Sequence, residues 1–266
     1  MLPRASSSAV GLLLVALFAA APPAHPGAAH AAEAALRAED VIAQARAAQR
    51  VDRSVQTVEM TLEGKGPPRV RAFELRVRRD ADGLVRSWTR FSAPADVAGT
   101  QLVIVDHPSR ADEQLLYLPA LQRTNRIAGK ARSGAFMGSD FAFEDLEISG
   151  AEAAKHTLQS ESAAAWVIET VPGPDSSYGR LVVTVDKGDK LPRKVLFHDK
   201  AGAHIKTLTV AEVKLQDGVP VPVVSVMEDH RKSTRTRLTV KSVRLQVPES
   251  DVPDELFTAA GMERRR

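Results

Sequence analysis

Cysteine is absent from this 266-residue chain. Its absence excludes disulfides, thiolate nucleophiles and cysteine metal ligands. It also excludes a lipid-modified N-terminal cysteine, so the protein is not itself a lipoprotein. Aromatic residues are scarce at 5%, too few to interleave with basic residues on a nucleic-acid-binding face, and no nucleic-acid partner is expected. No sign of charge dominates. The 36 Lys and Arg against 33 Asp and Glu leave a net charge of +3. The densest basic stretches, Arg76–Arg79, Arg231–Arg237 and Arg264–Arg266, are dispersed along the chain. They read as solvated strand faces or as a surface attracted to anionic lipid, where each basic residue contributes about 1 kcal/mol.

Catalytic and metal-binding patterns are missing as well. There is no G-x-S-x-G elbow and no Gly-rich phosphate loop. His107, His156, His198, His204 and His230 form no H-x-x-x-H or H-x-H pattern. His198 and His204 flank an expected turn and can approach across a hairpin, but two ligands do not make a zinc site. Glu144-Asp145 and Glu228-Asp229 are adjacent carboxylates, which on a strand point to opposite faces and form no acid–base dyad. The expectation is a protein that is not an enzyme and uses no cofactor or metal.

The N-terminus carries a positive pattern. Arg4 is the lone charge before Glu33, Ala9 to Ala21 is apolar, Pro22-Pro23 ends the run, and Ala29-His30-Ala31 is a small-x-small site. These are the parts of a cleaved secretory signal peptide. The run falls short of the roughly 20 residues that span a bilayer. Residues 1–31 are read as the signal, cleaved near Ala31, and residues 32–266 as a single mature domain exported from the cytoplasm.

The mature chain opens with helix formers. Ala32 to Arg50 contains no Gly or Pro, and Leu36, Val41, Ile42, Ala45 and Ala48 recur near one face. Beyond Val51 the pattern turns to strands punctuated by Gly, Asp and Pro. Asp82-Gly83 marks a hairpin before a strand over Leu84–Ser92. Later strands are expected over Ala164–Val171, Gly179–Asp186, Arg193–His198, His204–Leu215, Val219–Met227 and Thr234–Val243. In 70–77 the register is left open, with Val70, Ala72 and Glu74 on one side. A short helix is expected over Asp251–Thr258. Short strands with turn signals about every ten residues argue for a curved or barrel-like antiparallel meander.

Leu115 to Leu146 stands apart. It joins a short apolar strand to a basic arm and then to Phe136, Met137, Phe141, Phe143 and Leu146, crowded around Gly138. Ser139 or Asp140 is placed to cap a short helix with Glu144 and Asp145 in its first turn. Apolar groups would surround that helix, so it wants contact on several sides. It reads either as plain core or as a plug in the mouth of a curved sheet. Trp88 and Trp166, on expected strands, are further candidates for the lining of such a cavity.

The segment from Phe91 to Thr100, the LYLPAL motif and FMGSDFAFEDL together resemble the LolA-like outer-membrane lipoprotein-sorting proteins over most of the mature chain. The resemblance implies a mainly β (α+β) fold: a strongly curved antiparallel sheet forming an open half-barrel, with short helices over an apolar concave face. It further implies a periplasmic carrier that binds acyl chains of lipoproteins or free lipid for transfer toward the outer membrane. The motif positions Leu116, Tyr117, Leu118, Pro119, Phe136, Met137, Phe141 and Phe143 become candidates for lipid binding or plugging, beside Trp88 and Trp166. An inner-membrane transporter and peripheral contact with an anionic membrane are the expected partners of a monomer. The alternatives are an envelope adaptor associated with an inner-membrane lipid exporter and carrying no lipid, and an envelope hydrolase.

Overall fold

The computed structural model describes residues 36–81, 83–107, 112–147 and 154–264. The signal-peptide segment lies outside them, as does Asp82 of the expected hairpin turn. Helix α1 (Ala38–Ala48) turns Ala38, Val41, Ile42 and Ala45 inward at helical spacing. The first run of strands is β1 (Arg53–Glu63), β2 (Arg69–Arg79), β3 (Val85–Ala93), β4 (Gln101–Asp106), β5 (Glu113–Leu118) and β6 (Arg123–Ile127). The second is β7 (Lys155–Glu161), β8 (Ala165–Val171), β9 (Tyr178–Asp186), β10 (Pro192–Asp199), β11 (His204–Gln216), β12 (Val219–Asp229) and β13 (Thr234–Leu245).

All thirteen strands form one antiparallel sheet in the order β6-β5-β4-β3-β2-β1-β13-β12-β11-β10-β9-β8-β7. Each run is a meander of adjacent hairpins. The one non-local pairing is β1 with β13, from Ser54↔Leu245 to Glu63↔Arg235. Strands β6 and β7 form the two edges and do not pair, so the sheet stays open. Bulges bend it: the register shifts at Thr57/Val58 on β1 and at Ala72/Phe73 on β2, and such irregularities increase local twist. Pro220 and Pro222 sit where β12 pairs only with β11, since the β12–β13 ladder begins at Val224↔Thr239. A proline without an N–H is tolerated there.

Strand alternation divides the apolar residues between two faces. The concave face collects Val58, Met60, Leu62, Phe73, Leu75, Val77, Phe91, Leu102, Ile104 and Leu116, closed over by α1. In β2 the inward residues are Phe73, Leu75 and Val77, with Arg71 in phase, which resolves the register left open by the sequence. The opposite face of β1 and β3–β5 carries a second, smaller core: Val55, Trp88, Val103 and Tyr117 beneath Val247, Val252, Leu256, Phe257 and Met262. The C-terminal strap over it is two 3-10 turns, Glu249–Asp251 and Asp254–Phe257, and helix α2 (Ala259–Arg264), in place of the single helix expected over Asp251–Thr258. Backbone carbonyls pin the strap: Arg53 donates to Val247 O, Arg76 to Asp251 O, and Gln101 Nε2 to Met262 O at 2.9 Å.

Candidate functional site

The topology dictates the site. Because β6 and β7 are opposite edges, the chain between them must traverse the sheet, and its described part, up to Glu147, crosses the concave face. The helix expected from Asp140 does not form. One 3-10 turn, Phe136–Gly138, lies within a small loop closed by an Ala135↔Ala142 bridge, and a second, Phe143–Leu146, follows it. Phe136 N donates to Phe141 O at 2.7 Å and Phe143 N to Gly134 O at 3.1 Å. The tight return places Met137 at φ 50° and Gly138 at φ 71°. Glycine adopts that left-handed region freely, whereas methionine is uncommon there. Ser139 does not cap a helix; its hydroxyl donates to Phe136 O at 2.6 Å inside the loop.

Phe136, Phe141, Phe143 and Leu146 are all buried in the concave core. An aromatic row leads from the plug into the sheet: Phe143–Phe136 at 5.7 Å between centroids, Phe136–Phe91 at 5.7 Å and Phe91–Phe73 at 5.1 Å.

Each carboxylate of the segment fastens it to a different neighbour. Asp140 accepts from the Thr234 and Thr236 hydroxyls of β13 at 2.5 and 2.6 Å. Glu144 accepts from both hydroxyls and a backbone N–H of Ser176-Ser177, in the β8–β9 loop. Asp145, wholly buried, accepts from Ala142 N at 2.7 Å, Tyr178 OH at 2.7 Å and Lys206 Nζ at 3.2 Å. Glu147 accepts from Arg132 Nε at 2.6 Å and from Gln114 Nε2 at 2.9 Å. Burial pushes the Asp145 and Glu147 carboxyls above their usual range, against the pull of Lys206 on the first and of Arg132 on the second. Tyr178 is raised by burial and by the adjoining Asp145 carboxylate.

The ten candidate residues separate. Leu116, Phe136, Phe141 and Phe143 meet on the concave face, with Leu118 and Met137 packed partly against them. Pro119 opens a 3-10 turn after β5. Tyr117 and Trp88 do not join them: odd and even positions of a strand face apart, and both lie in the smaller core beneath the C-terminal strap. Trp88 Nε1 donates to Gln101 there at 2.9 Å. Trp166 belongs to the concave core but sits near the β7–β8 turn, with Lys187 and Lys190 over its ring at 5.1 and 4.6 Å. The fastening partners Tyr178, Lys206, Thr234 and Thr236 went unrecognised, since nothing local marks them as neighbours of the plug.

A cleft of about 310 Å³ flanks the plug, lined by Ser139, Phe141, Tyr178, Ile205, Lys206 and Arg231 among others. Beyond it, His198 and His204 approach across their hairpin, 5.3 Å between centroids, as their spacing anticipated. His230, the first residue after β12, stands 4.6 Å from His204, and Thr207 Oγ1 contacts both His204 and His230. Among the described residues no group of three or more His, Asp or Glu is arranged to hold a metal.

A family model described as "Uncharacterized protein" matches residues 83–264. No curated protein matches the chain. Among solved structures, a domain from Vibrio parahaemolyticus assigned to outer membrane lipoprotein sorting is 32% identical, with TM-score 0.74, covering 85% of this chain and 97% of that one. A DUF1329 family protein from Desulfovibrio piger has TM-score 0.77 at 23% identity, covering 84% of this chain and 96% of its own. A LolA superfamily protein from Nitrosomonas europaea has TM-score 0.65 at 15% identity, covering 84% and 98%; these two speak for the fold alone. An open antiparallel sheet whose concave face is covered by the Phe136–Leu146 segment, with a relative 32% identical that matches 85% of the chain, places this chain in the LolA-like family of outer-membrane lipoprotein-sorting proteins.

Proposed function

We propose that the protein is a non-enzymatic periplasmic carrier that takes the acyl chains of lipoproteins, or free lipid, onto its concave face for transfer toward the outer membrane. In this reading residues 1–31 are the cleaved signal, an inner-membrane transporter loads the carrier, and the basic surface meets anionic lipid. The observation that carries it is the plug. The apolar concave face is covered by α1 and, beside it, by two 3-10 turns, and such short turns gain little stability of their own.

The energies suit an exchange. Four buried plug side chains contribute roughly 1.5–3 kcal/mol each. An acyl chain of about fifteen methylenes gains about 12 kcal/mol on burial. At the upper end of that range the apolar terms offset one another, and the polar fastenings then set the balance between closed and loaded forms.

Native mass spectrometry of the protein from its own periplasm, with organic extraction, tests the reading: a stoichiometric lipid or acylated peptide is expected. Phe141→Asp should lower uptake of a fluorescent fatty acid more than it lowers β-sheet signal in circular dichroism. Equal loss of both would make the segment plain core. A second reading, an envelope adaptor docking an exporter without lipid of its own, is favoured by how fully Phe73, Phe91, Phe136 and Phe197 fill the interior, each at most 2% exposed. A lipid-free protein that also refuses the fluorescent acid would leave that reading standing.

A further inference from the structure

The first residues of β2 place a charge that no carboxylate among the described residues meets in an ion pair. Arg69, Arg71 and Phe73 alternate on the concave side, and Arg71 pairs in register with Met60, itself fully buried. Arg71 is 8% exposed. The plug lies against it: a Cβ on Gly138 would stand 4.0 Å from Arg71 Nη2. Among the described residues Arg71 makes no side-chain hydrogen bond and no ion pair. Arg76, Arg78, Arg86 and Arg132 each meet a carboxylate instead. The plug's own Asp140 is held by Thr234 and Thr236. Asp96 favours the Arg71 charge only at longer range, while Arg69 on the same face opposes it.

The residue is largely covered, but none of its guanidinium nitrogens is sealed from solvent, so the donors stay free for a ligand. Its planar fork of donors matches the two oxygens of a carboxylate or phosphate. It sits where the concave face meets the plug, two residues along β2 from Phe73, where the aromatic row begins. We infer that Arg71 is an oxyanion-recognition residue, binding the carboxylate or phosphate head group of an amphiphile whose chain enters the concave face beneath the plug. This rests on the carrier reading and adds to it a cargo class: single-headed anionic amphiphiles in preference to neutral ones of equal chain length. Arg69, exposed two residues along the same face, adds to the local positive field.

The test uses the full mature chain with a dansyl-labelled undecanoic acid and its N-methylamide, which share chain and reporter and differ in head-group charge. Arg71→Met should weaken the acid about tenfold, the scale of one charge-assisted hydrogen bond, and leave the amide unchanged. Arg71→Lys should retain part of the affinity. The melting temperature of Arg71→Met should change little, because Arg71 has no hydrogen-bond or ion-pair partner among the described residues to lose. Equal weakening of both probes would assign Arg71 to plug packing, and no weakening of either would also overturn the inference. If the wild type takes up the amide and Arg71→Met leaves the acid unaffected, the carrier reading survives and the head-group assignment fails. If neither probe binds the wild type, both fail. Inorganic phosphate at millimolar concentration separates the remaining source. Phosphate binding that depends on Arg71 and is not displaced by the acid would assign the site to a free anion rather than a head group.

Discussion

Asp145 shows how single residues hold the plug. Its carboxylate has no exposed side-chain surface and faces Lys206, which is itself only 12% exposed. Removing one partner of such a pair leaves the other's charge without compensation, which is worse than removing both. Asp145→Ala should therefore destabilise the fold by about 3 kcal/mol in urea denaturation, and Asp145→Leu with Lys206→Met should recover most of that loss. A single-variant cost below about 1 kcal/mol would show that water reaches the pair. Gly261 is a second sensitive position. A Cβ there would stand 1.6 Å from Glu255 O and 2.6 Å from its carbonyl carbon, a backbone clash that no side-chain rotation relieves. Gly261→Ala should cost about 2 kcal/mol and loosen the strap above Trp88, read as a red shift of Trp88 emission in a Trp166→Phe background. At this scale the sequence was only half informative. The crowding of Phe136, Phe141 and Phe143 was visible directly, because the three are close in the chain. The residues that fasten Asp140 and Asp145 of the same segment, Thr236, Tyr178 and Lys206, come from strands far along it. Tyr117 is grouped with them by its place in the LYLPAL motif and Trp88 by its place on an expected strand; which face a strand residue takes depends on register, which neither carries.

At the scale of elements, what could be read depended on turn chemistry and alternation. Strands β8 to β13 were placed within about two residues, because Gly and Asp turns bracket them. Strand β4 was not assigned. Its Leu102 and Ile104 face the concave core and its Val103 the smaller one, so it lacks the alternation that marks a half-buried strand. Strand β7 was missed for the opposite reason: Lys155–Glu161 is a mostly polar edge. The helix expected at Asp140 failed because Asp140 and Ser139, good caps by type, are engaged elsewhere. The plug should also answer to pH. In the closed form burial raises the Asp145 and Glu147 carboxyls; in an opened plug, exposed to water, they would return to the ordinary values of about 4. The closed form therefore binds protons more tightly over the interval between ordinary and raised values, and by linkage closure weakens as pH rises through it. Amide exchange of residues 136–146, corrected for intrinsic rate and referenced to β9, should become faster from mildly acidic to neutral pH. A ratio independent of pH would mean that the polar fastenings open and close with no change in protonation.

At the scale of the whole molecule, curvature and openness follow from one non-local contact. Turn signals predict two meanders, but nothing local announces that β1 and β13 join them. The pairing was beyond reach from sequence because its ten register pairs link the beginning of the domain to its end. It also makes each half incomplete. The N-terminal meander alone would expose the edge of β1 and half of a concave core that draws on both halves, from Phe73 and Phe91 to Leu208 and Met227. It would also lose the strap that covers Trp88. The C-terminal half alone would expose the edge of β13 and lose the cover of α1. Residues 32–128 and 129–266, expressed separately, should each lack a cooperative thermal transition. Mixed, they should recover the sheet's circular-dichroism signal with a 1:1 endpoint, more slowly than the intact chain refolds, because distant pairings must form before they stabilise anything. A cooperative transition in either half by itself would mean that the β1–β13 seam joins two independent units. The concave face would then open at that seam rather than at the plug, and the fastenings of Asp140, Glu144, Asp145 and Glu147 would no longer control access to it.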